Sequence, residues 1–151
     1  MEQYLEDELI KQNYFTIKLT QIRSGHLTMK GKVNDVKALF ILDTGASATV
    51  LDYNQVKDFN LLDVERHEED VQGIGGPMAR FNVGKVSMKF ENQEVQSPML
   101  SIIDLKIVND SINMMYKNPK IIHGVIGADL LFKHKAIIDY STKKIFLMKK
   151  K

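Results

Sequence analysis

The sequence predicts one all-β domain with one or two short helices, and three observations support that prediction. Apolar residues alternate on a two-residue period in several short runs, the first of which contains Phe15, Ile17 and Leu19. Turn-forming residues separate the runs at short intervals, as Asn34-Asp35 does. The 151 residues contain no low-complexity linker and no repeat at a fixed period, so they have the length of a single domain.

In the first third of the chain, Leu5 and Leu9 lie four residues apart. Residues 1–12 are therefore predicted to form an N-terminal arm or short helix. The remaining residues, 13–151, form the predicted domain. Between residues 14 and 42, three strand-like runs separated by turns indicate a meander. Its last run, FIL, is apolar throughout and is typical of an interior strand.

The rest of the chain continues the β pattern with short interruptions. In order, it predicts a short helix over 53–61, a glycine-tipped hairpin and a further meander over 66–95, a strand over 97–105, a loop with a helical turn over 106–120, a strand leading into a short helix over 121–134, and a closing hairpin over 135–150.

The composition excludes several classes of function. The chain has no cysteine, which rules out disulfides, thiolate zinc sites and a cysteine nucleophile. Its four histidines, His26, His67, His123 and His134, lack ligand spacing, so neither a metal nor another cofactor is expected.

Charge and hydropathy also limit the expected partners. The net charge of +2 without a basic stripe argues against nucleic acid, and no apolar run reaches the length of a membrane span. The acidic N-terminus lacks the order of a secretory signal. The expected location is therefore cytoplasmic, unless an export leader has been removed.

The run FILDTGAS, residues 40–47, ends an apolar strand with Asp43 followed by Thr44 and Gly45. A carboxylate there is expected to be half-buried, and Gly45 lets a backbone amide approach it closely. For an isolated Asp-Thr-Gly, the simplest interpretation is an aspartate that caps a turn with its own side chain. The tripeptide alone therefore leaves the role of Asp43 open.

Three segments in a fixed order favour a chemical role. ILDTGASATVLD resembles the active-site loop of the retroviral-type, or retropepsin-like, aspartic proteases. VQGIGGPMARF, residues 71–81, resembles the glycine-rich flap of that family, and HGVIGADLL, residues 123–131, resembles the segment that packs beside the catalytic loop. The likeness spans about residues 27–148 and is closest in character to the bacterial and cellular single-domain enzymes. It implies a retropepsin-like closed barrel with a flap hairpin.

The resemblance implies an aspartic endopeptidase that acts on a peptide or unfolded protein. Such enzymes activate a water molecule between two carboxylates, and this chain carries one Asp-Thr-Gly, so the active form is expected to be a homodimer. The alternative is a catalytically silent module of the same fold that binds peptides or dimerises. The implied catalytic residues are Asp43, Thr44 and Gly45, and the implied substrate-binding residues are Ala46, Ser47, Gly73, Ile74, Gly75, Gly76 and Ile126.

The chain departs from the family at three positions. Ser47 and Ala128 stand where the viral enzymes carry an acid and an arginine that pair with each other. Both partners are absent together, so no buried charge is stranded. Ala46 stands where pepsin-like enzymes usually carry a hydroxyl that donates to the carboxylate pair. Without that donor, activity is expected to peak at mildly acidic to neutral pH.

Overall fold

The computed structural model describes residues 2–66, 71–73, 76–97 and 99–150, and it shows a mainly β protein with short helices. The helices are α1 (Glu2–Lys11), α2 (Lys106–Asn113), α3 (Ala128–Lys133) and a 3-10 helix (Val56–Asp58). The strands are β1 (Tyr14–Lys18), β2 (Thr20–Gln21), β3 (Leu27–Val33), β4 (Val36–Leu42), β5 (Val50–Asp52), β6 (Leu62–Arg66), β7 (Val71–Gly73), β8 (Gly76–Met78), β9 (Phe81–Lys85), β10 (Met88–Phe90), β11 (Gln93–Val95), β12 (Ser101–Ile103), β13 (Gly124–Ile126), β14 (Ile137–Asp139) and β15 (Lys144–Met148).

Most of the strands belong to one curled sheet, in the order β11-β10-β3-β4-β13-β5-β12-β9-β6, with β2 paired to β3. Its centre is β13, which runs parallel to β4 and antiparallel to β5. The loop that connects β4 to β5 contains Asp43, so β13 lies between the strand that enters this loop and the strand that leaves it.

The main core lies on the inner side of the curled sheet. Phe40 and Phe90 are fully buried there and meet edge to face, with ring centroids 5.6 Å apart. The alternating run that begins the domain behaves as predicted, because Phe15, Ile17 and Leu19 are all buried in this core. The all-β prediction is therefore confirmed, and burial of the alternating residues is its physical basis.

A second sheet contains both ends of the domain, in the order β1-β15-β14. One face of it packs on the main core through residues such as Ile17 and Ile145. Helix α1 packs on the other face, where Leu9 contacts a cluster that includes Tyr14 and Phe146. Glu6 of α1 accepts hydrogen bonds from the Thr16 hydroxyl and the Lys144 ammonium on that face. Both faces of this sheet are therefore covered.

Two helical segments differ from the prediction. The helix expected over 53–61 is reduced to the 3-10 helix, because Asn54 donates to Asp52 and Asp104 instead of starting a helix, and Asn60 takes a positive φ of 53°. The segment 106–120, expected to be a loop with a helical turn, contains the two-turn helix α2. Its residue Asn109 both donates to and accepts from the backbone of Ile122, which holds the helix to the following loop.

Two further observations concern what the described part of the chain lacks. No helix there has the length and apolar character needed to cross a lipid bilayer. Within the same residues, no group of three or more His, Cys, Asp or Glu side chains is placed to hold a metal ion.

Candidate active site

The loop from Asp43 to Thr49 is fixed at its first residue by the central strand. The amide of Asp43 donates to the carbonyl oxygen of Ile126 at 3.0 Å, which continues the parallel pairing of β4 with β13 by one step. Because β13 is held on both sides, the backbone at Asp43 starts from a rigid platform.

The carboxylate of Asp43 is exposed in the single chain, not half-buried as the sequence predicts. Its Oδ1 atom accepts a hydrogen bond from the Gly45 amide at 2.9 Å. The other oxygen accepts none from the residues that the structure describes. A Cβ atom on Gly45 would lie 3.3 Å from Oδ1, so glycine leaves the acid free of a tight contact. The turn-capping contact is therefore present, and it still leaves one carboxylate oxygen open to solvent.

The far end of the loop is anchored by a second acid, Asp129, which lies in the first turn of α3. Its carboxylate accepts from the Thr49 amide at 3.0 Å, from the Thr49 hydroxyl at 2.7 Å and from the Leu130 amide at 2.7 Å. The Thr49 hydroxyl in turn accepts from the Gly127 amide at 3.0 Å. Thr49 has no exposed surface and cannot contact water, so these hydrogen bonds satisfy its buried polar groups.

Close backbone packing completes this support. The Ala128 amide donates to the Ala46 carbonyl at 2.7 Å. A Cβ atom added to Gly127 would lie 2.8 Å from the same carbonyl oxygen and 2.6 Å from that of Ala48. Only glycine therefore lets β13 and α3 approach the loop this closely. Backbone hydrogen bonds and Asp129 hold the loop, although the chain lacks the ion pair of the viral enzymes.

The predicted site residues fall into three groups. Thr44, Gly45 and Ser47 are exposed beside Asp43, and Ala46 is half-buried. Ile126 is fully buried in the main core, and its assignment to the substrate-binding residues stays a prediction. Gly73 and Gly76 face each other at the end of the β7–β8 hairpin, where Gly76 takes a φ of +113°. The remaining two predictions, Ile74 and Gly75, lie outside the described residues.

A cavity of about 240 Å³ opens next to the loop that carries Asp43. It is lined by Thr44, Ala128, Leu131, Phe132, Lys135, Ala136 and Ile138. A larger open cleft of about 970 Å³ lies between β6, β9 and β11, and none of the predicted site residues that the structure describes lines it. The cavity beside Thr44 is therefore the one that adjoins the candidate chemistry.

Residue His123, just before β13, has a supporting role that the sequence did not predict. Its Nδ1 atom accepts a hydrogen bond from the Leu39 amide at 2.9 Å, and its ring meets that of Phe59 edge to face. Burial lowers the pKa of His123, although the negative charge of Asp52 opposes that shift. His123 is therefore held neutral as a hydrogen-bond acceptor beside the central strand.

The sequence analysis also did not identify Asp129 and Thr49 as supporting residues. The available signal was an acid two residues after the glycine that follows an apolar strand, in VIGAD. That signal does not reveal a partner 80 residues away in the chain.

The fold and this loop define a class: proteins that present an Asp-Thr-Gly at the centre of a curled β-sheet. The chain belongs to the aspartyl protease family, whose sequence profile, described as "Aspartyl protease", matches residues 29–130. The predicted membership of the retropepsin-like aspartic proteases is thereby confirmed. No curated protein sequence matches the chain.

Solved structures share the fold at low sequence identity. A retropepsin-like aspartic protease from Rickettsia conorii matches with a TM-score of 0.55 and 19% identity, over 89% of each chain. The retroviral protease-like domain of Ddi1 from Leishmania major matches with a TM-score of 0.56 and 15% identity, over 77% of this chain and 82% of that one.

The EIAV protease, in complex with the inhibitor HBY-793, matches with a TM-score of 0.52 and 19% identity, over 80% of this chain and 98% of that one. At these identities, the structural likeness shows a retropepsin-like fold and no more.

Proposed function

We propose that this protein is an aspartic endopeptidase whose active form is a homodimer with one Asp43 contributed by each copy. The observation that carries the proposal is the exposed carboxylate of Asp43 on a loop held at both ends. A carboxylate that only capped a turn would not need this support. Membership of the aspartyl protease family agrees with the proposal.

The chemistry requires two carboxylates. One must be ionised to take a proton from water, and the other must be protonated to donate to the carbonyl of the scissile peptide bond. Two carboxylates about 3 Å apart do not both ionise, so the pair shares one proton and titrates as a unit. The sequence contains a single Asp-Thr-Gly, and a two-fold axis beside Asp43 supplies the second.

The proposed substrate is an extended peptide that lies against the site as an added strand. The β7–β8 hairpin is the candidate flap, and Gly73 and Gly76 at its end give the backbone the freedom that closure over a substrate requires. Thr44, Ala46 and Ser47 are exposed or half-buried beside Asp43, where a bound peptide would pass. Because no charged side chain replaces the viral acid at Ser47, anchoring of the peptide backbone falls to neutral groups.

One observation favours the alternative of a silent binding or dimerisation module. The Gly45 amide bonds to Asp43, and this contact accounts for the Asp-Gly spacing without any chemistry. The two functions differ in whether Asp43 is needed for turnover.

The deciding experiment measures cleavage of an unfolded protein by wild type and by Asp43→Asn, each with and without a statine-type transition-state mimic. We expect cleavage by wild type alone, and we expect the mimic to inhibit it. Equal cleavage by both proteins would show a contaminating protease and refute the proposal.

Subunit mixing tests the shared site directly. If each site needs two Asp43 carboxylates, an equal mixture of wild type and Asp43→Asn that exchanges freely retains roughly a quarter of the wild-type activity. Independent monomers would retain roughly half. Measuring activity across several mixing ratios distinguishes the quadratic from the linear dependence.

The absence of a hydroxyl at Ala46 sets an expected pH range for activity. We expect kcat/KM to peak at mildly acidic to neutral pH, because no Ala46 side-chain donor stabilises the charged form of the pair. A maximum below about pH 3, under the ordinary aspartate value near 3.9, would contradict this expectation.

A further inference from the structure

A second core cluster lies on the face of the large sheet opposite to the main core. Ile41 of β4 and Val125 of β13 pack in this cluster. Their chain neighbours Phe40 and Ile126 are buried in the main core. In a strand, residues two apart share a face, and the Asp43 amide continues the pairing of β4 with β13. Asp43 therefore projects on the same face as Ile41, about 7 Å away along the chain.

Helix α2 and the turn that follows it pack on this face. Ile112 of α2 and Tyr116 after the helix belong to the same cluster as Ile41. The Asn113 side chain donates to the carbonyl oxygen of Lys120, which holds the turn back against the helix. The α2 segment, defined here as residues 106–121, thus lies on the face of the sheet toward which Asp43 projects.

The α2 segment exposes a group of large apolar side chains. Met114 is 85% exposed and Met115 is 56% exposed, and both Ile107 and Ile121 are exposed as well. Ile107 and Met114 lie seven positions apart, so they share one side of the helix and its C-terminal cap. Methionine is flexible and polarisable, so these side chains can adapt to apolar partners of different shape. Exposed apolar residues grouped in this way are typical of an interaction surface.

Three positively charged side chains accompany this apolar group. The Arg23 guanidinium lies 5.3 Å from the centroid of the Tyr116 ring, and the Lys120 ammonium lies 5.8 Å from the same centroid. Lys117 is exposed in the turn between them. Among the residues that the structure describes, no carboxylate forms an ion pair with any of these three cations. Two cations beside one ring repel each other, so binding of an anion next to them is favoured.

Arg23 is held in place by the α2 segment. Its guanidinium donates to the Met115 carbonyl oxygen at 2.9 Å, and its backbone amide donates to the Tyr116 hydroxyl at 2.9 Å. A guanidinium carries five N–H donors, so most of them remain available to a carboxylate. The cation and the exposed methionines therefore form one surface whose arrangement is set before any ligand binds.

We propose that the α2 segment and Arg23 bind an acidic stretch of the polypeptide substrate, a few residues from the bond that is cleaved. Met114 and Met115 contact an apolar side chain of that stretch. Arg23 and Lys120 bind its carboxylates. The occupant is the substrate, because an extended chain that passes Asp43 continues along the face that carries the α2 segment. The inference rests on the proposed function and adds a substrate class, namely polypeptides with acidic and large apolar residues near the cleaved bond.

The first test compares peptides that share one cleaved bond and differ only in a flanking stretch. The bond is taken from the cleavage products of an unfolded protein. The stretch is Glu-Leu-Glu, Gln-Leu-Gln or Lys-Leu-Lys, placed on either side of the bond in separate peptides. We expect kcat/KM of wild type to be about fivefold higher for the glutamate peptide than for the glutamine peptide, and lowest for the lysine peptide. Equal kcat/KM for the three peptides would overturn the proposal.

The second test reverses one charge of the surface. In Lys120→Glu, we expect the ratio of kcat/KM for the glutamate peptide to that for the lysine peptide to fall at least about fivefold. Lys11→Glu is the matched control, since Lys11 is exposed at the end of α1, and it should leave the ratio unchanged. Both rates come from one preparation, so partial unfolding of a variant cancels in the ratio. An unchanged ratio in Lys120→Glu, or an equal fall in Lys11→Glu, would contradict the assigned role.

Binding of fluorescent peptides to Asp43→Asn separates this surface from the proposed function. If Asp43→Asn prefers the glutamate peptide and wild type cleaves none of the three, the protease is refuted and the acidic-peptide site stands. If wild type cleaves all three equally well, the site is refuted and the activity stands. A free Glu-Leu-Glu peptide that binds without competing with the substrate would indicate docking of another protein and overturn the substrate role.

Discussion

Two aspartates on either side of the same loop have opposite environments. Asp43, at the start of the loop, is exposed and accepts one hydrogen bond, from Gly45. Asp129, which holds the end of the loop, accepts from the amide and hydroxyl of buried Thr49 and from the Leu130 amide. The chain leaves one carboxylate exposed to solvent and commits the other to structure.

The difference shows how a loop can be held rigidly while one of its carboxylates stays accessible. A carboxylate that accepts hydrogen bonds from buried donors is committed to those contacts, whereas an exposed one can bind water. The loop needs both kinds, because positioning an acid accurately requires a support that does not itself react. Substitutions at the two positions should therefore have separable effects on turnover and on stability.

The largest effect is expected for Asp43→Asn, which tests the reactive side of the comparison. Asparagine can still accept from the Gly45 amide, so the free energy of unfolding should change by less than about 0.5 kcal/mol. It cannot act as a base, so kcat/KM should fall by on the order of 10³-fold or more. Thermal unfolding together with a peptide cleavage assay measures both. A destabilised Asp43→Asn protein would mean that Asp43 is structural.

The structural side is tested by Asp129→Ala. Removing this carboxylate leaves the buried Thr49 amide and hydroxyl without an acceptor. The free energy of unfolding should therefore fall by about 2–4 kcal/mol. Asp129→Asn is the matched control, since it keeps one acceptor oxygen in the same place and should lose less. Urea unfolding gives both values. Equal stability of Asp129→Ala and wild type would contradict the assigned role.

A smaller effect is expected for Gly127→Ala, which changes the support without changing any charge. The added methyl group would overlap the carbonyl oxygens of Ala46 and Ala48, so the loop must shift, at a cost of about 1–3 kcal/mol. Ser47→Ala, at an exposed position in the same loop, is the control for stability and should leave the free energy of unfolding unchanged. If Gly127→Ala kept full stability and activity, the loop would not be tightly packed on β13.

The smallest expected effect is on the pH dependence of the free energy of unfolding, and it concerns His123. Because burial lowers the pKa of His123, the unfolded chain binds a proton more readily than the folded one. This contribution to stability is complete above the ordinary histidine value of about 6.5 and is lost as the pH falls below it. In His123→Asn, which can still accept from the Leu39 amide, that part of the pH dependence should disappear. Urea unfolding at several pH values measures it, and an unchanged slope would exclude His123 as the source.

The sequence predicted the parts of the molecule that depend on local pattern. Alternation identified buried strand residues such as Phe15 and Ile17, and the Asp43-Thr44-Gly45 motif pointed to the loop at the centre of the sheet. The sequence pattern did not predict the full length of α2, which is held by hydrogen bonds between the Asn109 side chain and the backbone of Ile122.

Features that depend on distant partners were not accessible from pattern alone. Asp129 hydrogen-bonds to Thr49, 80 residues away in the chain, and the residues next to each of them in the sequence do not indicate this pairing. The half-burial predicted for Asp43 was also wrong, because an apolar strand does not reveal whether the loop that follows it lies at the surface.

The pairing of β1 with β15 inside one chain has a consequence for how the activity would be controlled. Because β15 pairs with β1 of its own chain, this sheet forms without the exchange of a strand between molecules. In the proposed homodimer, folding and association are then successive steps with separate equilibria, and only association depends on concentration. At low concentration the yield of competent enzyme would grow with the square of the amount of chain, so that expression level itself acts as a threshold.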